Sequence, residues 1–109
     1  MVLDRARILV ADIDARLNER LGRISFRAWR RGFREADLVL GPFADRVAPG
    51  MTTEELDAFE ALLDVEDQYL YGWIIRRDPT PPEHDGPVMA LIRAFMAEHV
   101  AAAVAEGAG

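Results

Sequence analysis

Apolar residues recur along most of this chain at intervals of three and four, which is the spacing of one face of an α-helix. Between residues 4 and 21 the recurring positions are Ile8, Leu9, Ile13, Leu17 and Leu21. Two later stripes consist of Leu56, Phe59, Leu62 and Leu63, and of Val88, Leu91, Ile92, Phe95 and Met96. No run alternates apolar and polar residues as a half-buried strand would. The pattern therefore predicts a small all-α bundle.

Two helix starts and one connector have clear local signals. Thr52 with Glu55 three residues later is a capping box, which satisfies two backbone donors at the start of a helix. The segment "RDPTPPEHDGP", residues 77–87, contains four prolines and a glycine and must be a linker. Its last residue, Pro87, suits the first position of a final helix.

Other positions give weaker signals. Gly41 and Pro42 predict a kink or a new helix start, because proline lacks a backbone donor. Leu70, Trp73 and Ile74 fall on one face of a predicted helix. We therefore assign Trp73 to the core.

Six arginines follow one another at alternating intervals of four and three, which would align them along one face of a single helix. They are Arg16, Arg20, Arg23, Arg27, Arg30 and Arg34. The arc opposite this face is expected to be buried. For Arg16, Arg20 and Arg23, a solvated helix face is the favoured interpretation.

Gly32 falls inside that predicted helix, in the stretch "RRGFRE". A glycine there is less favourable than alanine by about 1 kcal/mol, so close packing, a kink or another benefit must offset it. One such benefit is clearance, because a bare backbone lets a partner approach beside Arg31 and Glu35. These two residues are four apart on the predicted helix, so they could also pair with each other.

Length, charge and cysteine content exclude or disfavour several classes of function for this chain. The chain has 109 residues, half of them hydrophobic, which suits one domain with one core. Its 13 basic and 19 acidic residues give a net charge of -6, which disfavours nucleic acid and anionic membranes as partners. The absence of cysteine excludes disulfides and thiol chemistry. No stretch has the length of a membrane span, and the first twenty residues resemble no targeting peptide, so we expect a cytoplasmic protein.

The sequence offers little for catalysis. Ser25 has no histidine near it in sequence, and His84 and His99 lack the spacing of a metal site. The acidic run from Glu54 to Asp67 is typical of a solvated helix face rather than of an acid–base pair. We therefore expect a binding protein, not an enzyme, although the fold could still assemble a catalytic triad from distant residues.

Three segments together resemble a known family. They are "RRGFREAD" at residues 30–37, "LLDVEDQYLYGWI" at residues 62–74 and "LIRAF" at residues 91–95. The chain is similar over residues 23–96 to the succinate dehydrogenase assembly factor 2 family, also called FAD assembly factors. That family's Arg-Gly-x-x-Glu motif is matched by Arg31, Gly32 and Glu35, its preceding Arg by Arg30 and its following Asp by Asp37. The resemblance does not extend to the first twenty residues or to the proline-rich linker, and Ala36 replaces a larger apolar residue.

The resemblance implies a compact five-helix fold that binds the flavoprotein subunit of succinate dehydrogenase and promotes covalent attachment of FAD to it. The resemblance also implies fumarate reductase flavoproteins as related clients. FAD would belong to the client, with no cofactor bound firmly by the factor itself. The implied partner-binding residues are Arg30, Arg31, Gly32, Arg34, Glu35 and Asp37. We expect an N-terminal extension at residues 1–22, the assembly-factor domain at residues 23–97 and a C-terminal tail at residues 98–109.

Two other functions remain as alternatives. The arginine face could serve a nucleic-acid-binding or antitoxin-like regulator, whose binding would depend steeply on salt. A small enzyme would require an activity that depends on His84 or on one of the carboxylates.

Overall fold

The computed structural model describes the backbone of residues 2–108 and the side chains of residues 12–99. Within this range there are five α-helices and no strand, which confirms the all-α, five-helix prediction. The helices are α1 (Val2–Trp29), α2 (Arg34–Arg46), α3 (Thr53–Leu63), α4 (Asp67–Ile74) and α5 (Pro87–Ala108). Single turns of 3₁₀-helix lie at Ala48–Gly50 and Pro82–His84.

One hydrophobic core joins all five helices. The ring of Phe43 on α2 packs edge-on against Phe59 of α3, with ring centroids 5.0 Å apart, and against Phe95 of α5 at 5.8 Å. The largest fully buried side chains are Phe43, Phe59, Ile24, Leu40, Leu56, Leu70, Ile74, Met89 and Ile92. All four residues of the predicted α3 stripe are buried, as their spacing requires.

The local helix signals are confirmed. Thr52 caps α3 through its hydroxyl, which accepts the Glu55 N–H at 3.1 Å, while the Glu55 carboxylate accepts the Thr52 N–H at 2.9 Å. Pro87 is the first residue of α5, and the linker before it contains only the 3₁₀ turn.

The prediction of a new helix start at Gly41 and Pro42 is wrong, because α2 continues through both residues. Gly41 has a packing role: a Cβ there would lie 2.3 Å from Cδ2 of Trp29. The indole also donates through Nε1 to the Asp45 carboxylate at 2.9 Å. Gly41 therefore lets the end of α1 lie directly on α2.

The assignment of Trp73 to the core needs correction, because its side chain is only partly buried. Leu70 and Ile74 fill the core from the same helix. The Trp73 ring instead stacks on His84, with centroids 5.4 Å apart, and covers the margin of the core under the linker.

The first half of α1 extends beyond the core. Every residue from Asp12 to Glu19 is exposed, and Ile13 is 63% exposed. Ile8 and Leu9, in the same predicted stripe, lie outside the described side chains. The radius of gyration is 16.4 Å, against about 13 Å for a compact domain of this length. Among the described residues, none of the helices combines the length and apolarity that crossing a bilayer requires.

Candidate functional site

The predicted motif forms the connection between α1 and α2 and not the middle of one helix. α1 ends at Trp29, and α2 begins at Arg34. Gly32 between them has a φ of +81°, a left-handed conformation that residues with a Cβ rarely adopt. A Cβ added at Gly32 would have nothing within 4 Å. The glycine is therefore required by the backbone, and the space in front of it is open.

Arg31 points into the protein, with a side chain that is 7% exposed. Its Nη1 donates to the Leu63 carbonyl at 2.6 Å, its Nη2 donates to the Val65 carbonyl and its Nε donates to the Asp67 carboxylate. Leu63 is the last residue of α3, where carbonyls lack partners within the helix. Asp67 is the first residue of α4. Arg31 thus caps α3 and fixes the motif loop, residues 30–33, to the α3–α4 turn.

Asp37 holds the other side of the motif loop. Its carboxylate accepts the backbone N–H of Arg31 at 3.0 Å, and its own N–H donates to the Phe33 carbonyl at 3.0 Å. The Phe33 ring packs edge-on against Tyr71 of α4, with centroids 5.3 Å apart. Contacts from α2, α3 and α4 therefore hold the loop in one conformation.

The remaining motif side chains face solvent. The Arg30 guanidinium carbon lies 4.1 Å from the centroid of the Phe26 ring, which is itself 59% exposed. Arg34 and Glu35 are exposed in the first turn of α2, and neither pairs with any side chain of residues 12–99. Arg30 and Gly32 border an open cleft of about 780 Å³, whose far wall is the start of α4.

Arg31 and Glu35 do not pair along one helix face, which was one of the two alternatives left open by the sequence, because the two residues belong to different elements. Arg31 and Asp37 stabilise the loop from inside. Arg30, Gly32, Arg34 and Glu35 form its outer surface.

The arginine stripe is also divided. Arg20 donates to Asp57 at 2.6 Å and to Glu60, and Arg27 donates to Asp64. The hydrogen bonds that Arg20 donates to Asp57 and Glu60 raise the pKa of Arg20 above its ordinary value. The solvated interpretation is therefore wrong for Arg20, whereas Arg16 and Arg23 are exposed as expected.

Sequence reasoning missed the anchor of the motif loop. The acidic run was assigned to a solvated face, yet Asp57, Glu60, Asp64 and Asp67 all bind arginines of α1 or of the loop. Their spacing of three and four was the available signal, because it repeats that of the arginines. Nothing in the sequence indicated which acid would meet which arginine.

The other candidate side chains for chemistry have structural neighbours. The Ser25 hydroxyl donates to Asp45, and the rings of His84 and His99 stack on Trp73 and Phe95. Among the described residues, no three acidic or histidine side chains converge in a way that could hold a metal ion.

Comparison with known proteins places the motif loop inside the matched region. A family model described as "Flavinator of succinate dehydrogenase" matches residues 22–96. A protein of Acetobacter pasteurianus named FAD assembly factor SdhE is 38% identical over 73 residues, which are 67% of this chain and 67% of that protein. The protein of the same name in Pseudomonas aeruginosa is 44% identical over 67 residues, 62% of this chain and 76% of that one. The mitochondrial succinate dehydrogenase assembly factor 2 of Candida glabrata is 34% identical over 70 residues, 64% of this chain but only 46% of its own length.

Proposed function

Because this chain belongs to the family described as the flavinator of succinate dehydrogenase, we propose that it binds the flavoprotein subunit of that enzyme and promotes covalent attachment of FAD to it. We call this subunit the client. The names of the bacterial and mitochondrial relatives support the proposal. Flavoproteins of fumarate reductase are a second proposed class of client.

The main support for the proposal is that the motif loop has a fixed backbone and exposed charged side chains. Arg31 and Asp37 fix its backbone from inside, through contacts to α2, α3 and the first residue of α4. Arg30, Arg34 and Glu35 are left exposed around Gly32. A loop held in one conformation loses little freedom on binding, which favours recognition of a partner by its outer charges.

We propose that the protein acts by binding and not by catalysis. A factor that binds one conformation of its client more tightly shifts the client toward that conformation, here the one in which the client's own side chain and flavin react. FAD then stays with the client. The cleft beside the motif loop is consistent with this, because it is open and its border contains one glycine instead of a phosphate-binding loop.

The test is the effect of Glu35→Ala on the client. We expect binding to weaken about tenfold or more, because a hydrogen bond to a charged group is lost at an interface. Covalent flavin, measured by fluorescence of the client in a denaturing gel after co-expression, should fall accordingly. Glu54→Ala is the matched control, because Glu54 is also an exposed carboxylate in the first turn of a helix. Equal flavin fluorescence with both variants would contradict the assignment of Glu35 to the interface.

The nucleic-acid alternative has less support in the structure than in the sequence. Arg20, Arg27 and Arg31 already bind carboxylates within the protein, so they are not available to phosphates. The net charge of -6 opposes polyanion binding as well.

A further inference from the structure

A second basic surface lies at the opposite end of α4 from the motif loop. Asp67, the first residue of α4, is bound to Arg31. The last turn of α4 leads into residues 75–80. An eight-residue helix is about 12 Å long, so one partner can reach both ends.

Arg76 in this turn has an unusual backbone conformation, with a φ of +61°. Its N–H donates to the Trp73 carbonyl at 3.2 Å, and the N–H of Arg77 donates to the Gly72 carbonyl at 2.9 Å. These two bonds form a Schellman motif, in which the residue at the position of Arg76 is usually glycine. The chain thus keeps a strained arginine where a glycine would fit without strain.

The side chain of Arg77 is fixed against α4. It donates to the Gln68 carbonyl at 3.1 Å and pairs with Asp78 at 3.1 Å. Gly72 makes room for this pair, because a Cβ there would lie 2.4 Å from an Asp78 carboxylate oxygen. Arg77 therefore already supplies the positive charge that favours a helix C-terminus.

Arg93 of α5 binds the same turn through its side chain. Its Nη2 donates to the Trp73 carbonyl at 2.8 Å and to the Thr80 hydroxyl at 2.7 Å, and the side chain is 16% exposed. Arg77 and Arg93 therefore already stabilise the end of α4 and the linker. Arg76 is exposed, and its guanidinium binds no side chain or carbonyl among the described residues. It borders an open cavity of about 420 Å³.

We propose that Arg76 is a second contact for the client and binds a carboxylate in an acidic segment of that protein. This inference rests on the proposed function. Arginine suits the role because its planar guanidinium forms paired hydrogen bonds with a carboxylate. Three arginines and two aspartates line the cavity, so it is locally positive on a chain of net charge -6. An acidic segment is repelled by most of this surface and attracted here.

The decisive variant is Arg76→Gly, which should make the free protein more stable and the complex weaker. We expect the melting temperature to rise by roughly 2 to 6 °C as the backbone strain is relieved. Client binding should weaken roughly three- to tenfold at low salt, and the difference should shrink as the salt concentration rises. Arg76→Lys should retain part of the affinity, because it keeps the charge. Arg16→Gln is the control, since it removes the same charge from an exposed α1 residue and should change binding less than twofold.

Two results would overturn the inference. A lower melting temperature for Arg76→Gly would show that the arginine stabilises the turn. Unchanged client binding would show that Arg76 is not a contact, and a loss of binding in Glu35→Ala alone would then leave the proposed function intact. If the wild-type protein neither binds the client nor promotes flavin attachment, the proposed function fails and this inference fails with it.

Discussion

Arg30 and Arg31 are neighbours in the sequence, yet their side chains lie in opposite environments. Arg30 is exposed over the Phe26 ring, whereas Arg31 is 7% exposed and donates to three acceptors. A functional defect in an Arg31 variant would therefore not by itself show a lost contact with a partner. It would also report damage to the motif loop.

Alanine substitution should separate the two arginines. Arg31→Ala leaves the Asp67 carboxylate and the carbonyls of Leu63 and Val65 without their donor, so the free energy of unfolding should fall by about 2 to 3 kcal/mol. Arg30→Ala removes only an exposed cation–π contact and should cost less than about 1 kcal/mol. Urea denaturation followed by circular dichroism measures both values. Equal losses would contradict the internal role of Arg31.

Gly32 is predicted to be essential for its conformation and for the open space before it. Gly32→Ala should destabilise the protein by about 1 to 2 kcal/mol, because φ is +81°. Gly32→Asn should destabilise it less, because asparagine tolerates this region better. We expect both variants to reduce flavin attachment to the client, since both add atoms at the outer surface. Normal attachment with Gly32→Asn would show that only the backbone conformation matters.

At the scale of helices, boundaries with a local cause were predictable. The capping box at Thr52 and the proline at position 87 act on the backbone of their own segment, and both start helices as expected. The end of α1 was not predictable in this way, because the arginine spacing continues past Trp29. Periodicity records only which residues would share a face if a helix existed. The break at Gly32 depends on contacts from Arg31 to α3 and α4, which are distant in sequence.

The α1–α2 contact depends on Gly41. Gly41→Ala would improve helix propensity by about 1 kcal/mol, but its Cβ would clash with the body of the Trp29 indole ring. We expect the indole to move away from α2 and to lose its hydrogen bond to Asp45. The melting temperature should fall despite the better propensity, and tryptophan fluorescence should shift to longer wavelength. Gly22→Ala is the control, because nothing lies within 4 Å of a Cβ there.

At the scale of the whole molecule, the resemblance identified the residues of the candidate site but not their arrangement. All six predicted residues lie in or beside the loop between α1 and α2. Their division into internal anchors and exposed groups comes from contacts across the bundle. A sequence motif alone does not show which of its side chains are internal and which are exposed. Arg31 and Glu35 are equally prominent in the motif, yet the Arg31 side chain is only 7% exposed and Glu35 is exposed to solvent.

Deletions within the projecting half of α1 would test the predicted domain boundary. Residues 12 to 19 are all exposed, and the first residue of α1 with tertiary hydrogen bonds among the described side chains is Arg20. Removal of residues 1–15 should therefore change the free energy of unfolding by no more than about 0.5 kcal/mol. Flavin attachment to the client should persist, because every residue of the motif loop and its anchors remains. Removal of residues 1–24 is the contrasting variant, since it deletes Arg20 and the buried Ile24 and should destabilise the bundle by several kcal/mol. Loss of flavin attachment with normal stability in the shorter deletion would instead show that the projecting segment takes part in binding the client.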